Sequence, residues 1–142
     1  MRLDRLVIGE VRGAETVDML QALNTGHAGS MSTGHGNSTR DMLYRLETMV
    51  LMGMEIPALA VRRQLASGID LMIHLGRLRD RRRVLMEISE IDHCLDGEIV
   101  LNPIYRFEET GLDRNGKVLG NFTKIGSLKH KEKLHMAGFE DD

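Results

Sequence analysis

The spacing of hydrophobic positions changes near residue 69, and this change separates two groups of predicted elements. In the first group, Leu6–Val11 (LVIGEV) is a nearly continuous apolar run, which is typical of a strand buried on both faces of a parallel sheet. Val17, Leu20 and Leu23 recur at every third position and predict a helix over Ala14–Asn24. The chain is therefore expected to start as a strand followed by a helix.

The first group continues with a short strand at Ser30–Thr33 and two further helices. Ser38 predicts the N-cap of a helix over Thr39–Met52, whose apolar side chains share one face. Pro57 suits the first turn of another helix, which ends near Gly68. Strand, helix, strand, helix, helix is an order typical of an α/β fold.

From residue 69 onward, apolar residues alternate with other residues, as they do in half-buried strands. Three turns separate these strands, at RDRR (79–82), Asp96-Gly97 and Asn115-Gly116. A short helix is predicted near Leu128–Met136. The sequence thus predicts an α/β part at 1–68, an antiparallel β meander at 69–122 and a C-terminal tail at 123–142.

Composition narrows the class of protein. The 142 residues suit one domain or most of one, and the net charge of −2 argues against a surface that coats nucleic acid or membrane. The lone Cys94 excludes an internal disulfide. Neither a secretory signal nor an apolar segment of roughly 20 residues is present, so we expect a cytoplasmic protein. Because an interior strand comes almost at once, we expect the chain to begin partway through a larger domain.

The first candidate site is the acid that ends the first strand. Glu10 stands in LVIGEVRGAE, at the carboxyl end of a predicted parallel strand, where α/β sheets bind ligands. In nucleotide hydrolases such an acid holds the magnesium shell or orients the attacking water. The alternative is an acid in an ordinary strand-to-helix turn.

The second candidate is the stretch TGHAGSMSTGHGNS at 25–38. His27 would lie at a helix end and His35 just beyond the second strand, so both could reach the edge that holds Glu10. Its glycines let the backbone approach a ligand, and either imidazole could hydrogen-bond a γ-phosphate. A zinc site would need a third and a fourth ligand, which nothing here supplies. Two surface histidines without a role are the remaining alternative.

Two further motifs carry less chemistry. The arginine run RLRDRRR at 77–83 could bind phosphates, but it crosses a hairpin turn and has no aromatic residues for base stacking. A solvated charged tip is the favoured interpretation. GLDRNGKV at 111–118 matches the start of a phosphate loop, but Val118 replaces the hydroxyl residue that would hold magnesium. The sequence therefore contains no phosphate-loop pattern.

A longer segment carries a family resemblance. Residues 4–52, DRLVIGEVRGAETVDMLQALNTGHAGSMSTGHGNSTRDMLYRLETMVLM, resemble the ATPases that drive type II secretion, type IV pili and type IV secretion. They are most similar to the branch that assembles tight-adherence (Tad, or Flp) pili, and the similarity continues more loosely through the meander. The resemblance implies a partial RecA-like P-loop NTPase core followed by the antiparallel meander.

The resemblance also implies roles for individual residues. Glu10 in GEVRG corresponds to the Walker B acid, which holds Mg²⁺ through water, and the TGH…TGHGNS segment corresponds to the family's His box. His35 is its better matching histidine, so Glu10 and His35 are the implied catalytic residues. The implied nucleotide-binding residues are His27, Thr33, Arg12 and Asn37.

For full-length members, the resemblance implies ATP and Mg²⁺ as cofactors and a homo-hexamer as the assembly. Inner-membrane platform proteins are the implied partners, at the cytoplasmic face of the membrane, and nucleic acid is not. ATP hydrolysis would drive pilin extrusion or protein secretion.

The sequence departs from the family pattern in two respects. Gly34 and Gly36 stand where the family has an apolar residue and an alanine. The Walker A loop, the acidic Asp box and the N-terminal domain are absent from the sequence. We therefore expect the isolated chain to be inactive as an ATPase and to bind no nucleotide tightly. Two alternatives are a non-catalytic module that binds a full-length ATPase or a platform protein, and a small nucleic-acid-binding protein that uses the arginine run.

Overall fold

The computed structural model describes residues 5–26 and 29–140, which form an α/β part followed by an antiparallel sheet. The α/β part contains two short strands and three helices: β1 (Val7–Ile8), α1 (Thr16–Asn24), β2 (Met31–Ser32), α2 (Thr39–Gly53) and α3 (Ala58–Gly68). β1 and β2 pair in parallel. The element order is the predicted one.

The three helices bury their apolar faces against one another. Ser38 caps α2 as predicted, because its side chain accepts a hydrogen bond from the Asp41 N–H at 3.0 Å. The most deeply buried apolar helix positions, at 2% exposure or less, are Leu20, Leu43, Val50, Val61 and Leu65. This cluster is the core on which the strand ends rest.

The second part is a four-stranded antiparallel meander in chain order, which confirms the predicted topology. Its strands are β3 (Leu71–Arg77), β4 (Arg83–Leu95), β5 (Glu98–Leu112) and β6 (Val118–Lys124), and α4 (Glu132–Met136) follows. At the β4–β5 turn, Asp96 and Gly97 both have positive φ, at 49° and 82°. A two-residue hairpin turn requires this backbone geometry.

The helices and the meander share one core. Ile91 of β4 and Ile99 of β5 belong to the same buried cluster as the helix residues. The hydroxyl of Thr39, at the start of α2, donates to Glu87 Oε2 of β4 at 2.7 Å. Because α2 directly follows residues 33–38, here called the His35 segment, this hydrogen bond connects the neighbourhood of the candidate site to the sheet.

Two carboxylates hold the segment after β6 against β4. Glu90 accepts hydrogen bonds from the backbone N–H groups of Lys129 and His130, at 3.0 and 2.9 Å, and from the Asn102 amide at 2.9 Å. Asp92 Oδ2 lies 2.7 Å from Lys129 Nζ. Hydrogen bonds from the Lys129 ammonium group and from two histidine side chains lower the pKa of Asp92 to about 2. The tail is therefore fastened before α4 begins.

The expectation that Leu6–Val11 is a strand buried on both faces is wrong. Regular pairing covers only Val7–Ile8. Val7 is 75% exposed, and Met31, which lies opposite it on β2, is 63% exposed. Only the Ile8 side of the pair packs against the core cluster. The run is apolar on both faces, but the described residues cover just one of them.

The first helix also begins later than the predicted Ala14. Residues 13–15 form a turn in which the Glu15 carboxylate accepts hydrogen bonds from the N–H groups of Arg12 and Gly13, at 2.8 and 3.1 Å. Regular helix starts at Thr16. Among the described residues, no helix combines the length and hydrophobicity needed to cross a membrane.

Candidate functional site

Glu10 lies just after β1, where backbone hydrogen bonds to the β2 side continue. The N–H of Val11 donates to the Thr33 carbonyl at 3.0 Å, and the Thr33 hydroxyl donates to the Gly9 carbonyl. Because the two strands run in parallel, their carboxyl ends reach the same edge. Glu10 and His35, which follow the two strands, therefore lie side by side.

The carboxylate of Glu10 contacts one side chain on each side. Its Oε2 accepts a hydrogen bond from the Arg12 guanidinium at 2.6 Å. Its Oε1 lies 2.7 Å from His35 Nε2. The structure thus brings together Glu10, Arg12 and His35, while the catalytic and nucleotide-binding roles of these residues stay predictions.

Arg12 controls the ionisation of Glu10. The hydrogen bond from its guanidinium lowers the pKa of Glu10, and the neighbouring His35 acts in the same direction. Glu10 in turn raises the pKa of Arg12. Glu10 is therefore a carboxylate at neutral pH, so it is suited to accept hydrogen bonds rather than to donate a proton.

One oxygen of Glu10 keeps spare capacity as an acceptor. Within the described part of the chain, Oε1 is buried and has no hydrogen-bond partner, and its close neighbour is His35 Nε2 at 2.7 Å. A buried carboxylate oxygen left in this way costs free energy. Carboxylates hold Mg²⁺ directly or through its water shell, so this oxygen fits the magnesium role that the resemblance gives to Glu10.

A cleft of about 480 Å³ opens beside these side chains. This volume lies in the range of small-molecule sites. Arg45 of α2 donates to the backbone carbonyl of His35, so α2 also holds the His35 segment in place. The wall opposite Glu10 and His35 consists of α2 residues, namely Tyr44, Arg45, Thr48 and Met49.

The residue pattern did not lead to a prediction of this α2 wall. Tyr44 and Thr48 are four residues apart, and so they project from the same face of the helix. That spacing was the available signal, but the neighbouring apolar positions hid it.

Of the remaining predicted nucleotide-binding residues, Thr33 and Asn37 do not line the cleft. The Thr33 hydroxyl is engaged by the Gly9 carbonyl. The Asn37 N–H donates to Asp41 Oδ2 at 2.9 Å, beside the start of α2. His27 lies outside the described residues. The assignment of these three residues to nucleotide binding stays a prediction.

Gly34 and Gly36 make room for Met42. A Cβ atom at position 34 would overlap the end of the Met42 side chain, and one at position 36 would lie 3.2 Å from the Met42 Cα and N atoms. The two glycines therefore let α2 pack closely on the His35 segment. The departure from the family pattern has a packing cause in this chain.

The family model for "Type II/IV secretion system protein" matches residues 1–100 of the chain. The chain belongs to this family. As a secretion-family chain it has the expected fold, an α/β part consistent with a partial RecA-like core followed by an antiparallel meander. The family resemblance predicted from the sequence is thereby confirmed, and the assignment to the Tad branch stays a prediction.

Two relatives show how much of a longer protein the chain covers. A "Putative conjugal transfer protein" of Mycobacterium tuberculosis is 45% identical over 89 residues, which cover 63% of this chain and 25% of that protein. An uncharacterized protein of Methanocaldococcus jannaschii is 34% identical over 142 residues, which cover 94% of this chain and 51% of that protein. The secretion-family chain thus spans between a quarter and a half of the length of these relatives.

The secretion-family fold also matches a solved structure. The VirB11 ATPase of the Brucella suis type IV secretion system, crystallised with sulphate, aligns with a TM-score of 0.60 at 29% identity. The alignment covers 63% of this chain and 28% of the ATPase. Both a family model and a structure therefore relate this chain to secretion ATPases.

Proposed function

We propose that this chain supplies the Walker B and His-box part of a secretion motor that hydrolyses ATP. The observation that carries the proposal is the 2.7 Å approach of His35 Nε2 to Glu10 Oε1 at the rim of the 480 Å³ cleft. A fixed carboxylate beside an imidazole is a suitable pair for contacting a phosphate and the water that attacks it.

In this proposal, Glu10 acts as a fixed anion. Its Oε1, which now lies against His35 Nε2, would accept a hydrogen bond from a water of the Mg²⁺ shell or from the attacking water once that ring turns away, while Arg12 keeps Oε2 occupied and the carboxyl group ionised. Bound Mg²⁺ would supply charge neutralisation on the phosphate oxygens. The His35 ring, 82% exposed at the cleft rim, is free to turn toward a γ-phosphate and donate a hydrogen bond.

The finer assignments belong to the same proposal. We propose that the motor is a homo-hexamer of the Tad pilus branch, which works with inner-membrane platform proteins at the cytoplasmic face to extrude pilin. The family match and the VirB11 likeness support a secretion role. The Tad branch rests on the sequence resemblance of residues 4–52.

The proposal is tested by mapping Mg²⁺–ATP contacts on the isotopically labelled chain by NMR. We expect weak, saturable shift changes at Glu10, His35 and Arg45, which face the cleft. Glu10→Gln should weaken the affinity for Mg²⁺–ATP by about tenfold to a hundredfold, since loss of one charged hydrogen-bond partner costs roughly 1.5–3 kcal/mol. Phosphate release by the chain alone should stay at background, because no phosphate loop holds the β- and γ-phosphates.

The matched control is Glu108→Gln, which removes the same charge from an exposed position on β5, outside the cleft lining. It should leave the Mg²⁺–ATP shifts unchanged. Shift changes that persist in Glu10→Gln, or that map to the meander, would contradict the proposed site.

A further inference from the structure

The end of the meander formed by the β3–β4 turn carries a concentrated positive charge. Residues 77–83 contain five arginines and a single aspartate, a local charge of +4 in a chain whose net charge is −2. We refer to residues 77–83, together with the neighbouring turn at 113–117, as the basic end. Its charge is opposite in sign to that of the chain as a whole.

Only some of these arginines have carboxylate partners. Arg79 pairs with Glu109, and Arg82 pairs with Asp80 at 2.9 Å. Within the described residues, Arg77, Arg81 and Arg83 are exposed and make no side-chain hydrogen bond or ion pair. Three guanidinium groups are thus left for an external anion.

The unpaired arginines occupy unfavourable positions. Arg77 lies directly opposite Arg83 in the β3–β4 register, and like charges facing each other across a strand pair destabilise a sheet. Arg81 has a φ of 71°, a conformation that favours glycine over a long side chain. A bound anionic surface would offset the repulsion between Arg77 and Arg83.

The basic end is held in one shape by its neighbouring turn. Asp80 Oδ2 accepts a hydrogen bond from the Val118 N–H at 2.7 Å, and the Arg82 guanidinium donates to the Val118 carbonyl. The turn at 113–117, which adds the exposed cations Arg114 and Lys117, is thereby fixed beside the first turn. The cations of both turns therefore lie at the same end of the sheet.

Exposed leucines flank these cations. Leu75, 69% exposed, lies two residues before Arg77 and projects from the same face of β3. Leu112 and Leu119 flank the second turn and are 48% and 44% exposed. Cations next to protruding apolar side chains are typical of surfaces that sit in the headgroup region of a bilayer.

We propose that the basic end docks onto a bilayer surface rich in anionic lipid. Nucleic acid is a poorer fit, because residues 71–85 and 112–119 include no Phe, Tyr or Trp side chain for base stacking. Two adjacent hairpin turns form a protruding end, which suits a broad planar surface. Anionic headgroups would neutralise Arg77, Arg81 and Arg83, while Leu75 enters the interface.

The test is co-sedimentation of the full chain with vesicles. We expect binding to vesicles that contain about 30% phosphatidylglycerol, little binding to pure phosphatidylcholine, and loss of binding as salt rises. The triple substitution Arg77→Gln, Arg81→Gln, Arg83→Gln should weaken partitioning by about tenfold to a hundredfold. Each arginine near an anionic surface strengthens binding severalfold, and three are removed. Urea unfolding checks that the variant stays folded.

The control variant Arg63→Gln, Lys124→Gln, Lys133→Gln removes the same charge from exposed positions outside the basic end. It should keep most of the vesicle binding. Leu75→Ser should weaken binding severalfold if the leucine enters the interface, and no effect would overturn that part of the proposal.

Three outcomes would overturn the docking proposal. The first is equal loss of binding in the triple variant and its control. The second is equal binding to neutral and anionic vesicles. The third is displacement of the chain from anionic vesicles by polyglutamate, duplex DNA or inorganic phosphate at matched ionic strength, which would assign the arginines to a protein, a nucleic acid or a free ion.

Discussion

At the scale of single residues, two arginines decide what the cleft can bind. Arg12 contacts Oε2 of Glu10 but not Oε1, whereas Arg45 contacts the backbone carbonyl of His35 but not its exposed ring. In both Glu10 and His35, one polar group is thus held by an arginine, and a second polar group is available to contact a ligand. This division of contacts makes the pair suitable for a ligand that arrives with its own charge and water.

The two glycines beside His35 should differ in their tolerance of a methyl group. We expect Gly34→Ala to cost little stability, because only the flexible end of Met42 must move. Gly36→Ala should cost about 1–3 kcal/mol, since its Cβ meets the Met42 backbone. Urea unfolding of both variants measures these costs.

A second background gives the control for this prediction. Met42→Ala removes the side-chain end that opposes a residue at position 34 but leaves the backbone that opposes position 36. It should therefore abolish the cost of Gly34→Ala and leave most of the cost of Gly36→Ala. Equal rescue of both substitutions would show that the packing account is wrong.

The sequence predicted the location of Glu10 and His35 better than it predicted their surroundings. A strand end and a glycine-rich segment are local signals, so the two side chains could be assigned to one edge of the sheet. The α2 wall is a tertiary contact: the spacing of Tyr44 and Thr48 places them on one helix face, but a solvent-facing pair would have the same spacing. Arg45 acts through a backbone carbonyl, a contact that leaves no trace in the residue pattern.

At the scale of elements, two aspartates fasten segments that are distant in sequence. Asp80 joins the β3–β4 turn to β6, and Asp92 joins β4 to the tail. Burial raises the pKa of Asp80, but hydrogen bonds from Val118 and Arg82 outweigh it and bring the value to about 2. The pKa of Asp92 is also about 2, chiefly through Lys129.

These pKa values predict a loss of stability in acid. Both lie below the ordinary value of 3.8, so the stabilisation is complete above pH 3.8 and declines as pH falls toward about 2. Urea midpoints measured across this range should fall steeply for the wild type. They should fall less steeply for the double variant that combines Asp80→Asn with Asp92→Asn. Asp18→Asn, whose carboxyl group makes neither contact, should follow the wild-type profile.

The elements themselves were largely predictable because their signals are local. Ser38 as a cap, Asp96-Gly97 as a hairpin turn and the alternation after residue 69 each dictate geometry within a few residues. The burial of β1 was not predictable in this way. Leu6–Val11 reads as apolar on both faces, but which face is covered depends on other segments, and Val7 remains exposed.

At the scale of the whole molecule, the exposed face of the β1–β2 pair should make the chain self-associate. Val7 and Met31 face each other and are 75% and 63% exposed, and adjoining apolar side chains of this kind promote association. We expect the sedimentation coefficient to rise with concentration. Val7→Ser, Met31→Ser should reduce that rise, whereas Met136→Ser, at an 89% exposed position on α4, should not.

The hydrogen bonds between Glu90 and the tail determine which substitutions the tail can accept. Glu90 is 3% exposed and grips the main chain of Lys129 and His130, not their side chains. Nineteen of the twenty amino acids offer the same N–H group at these two positions, and proline alone does not. Glu90 therefore restricts substitution at positions 129 and 130 only by excluding proline.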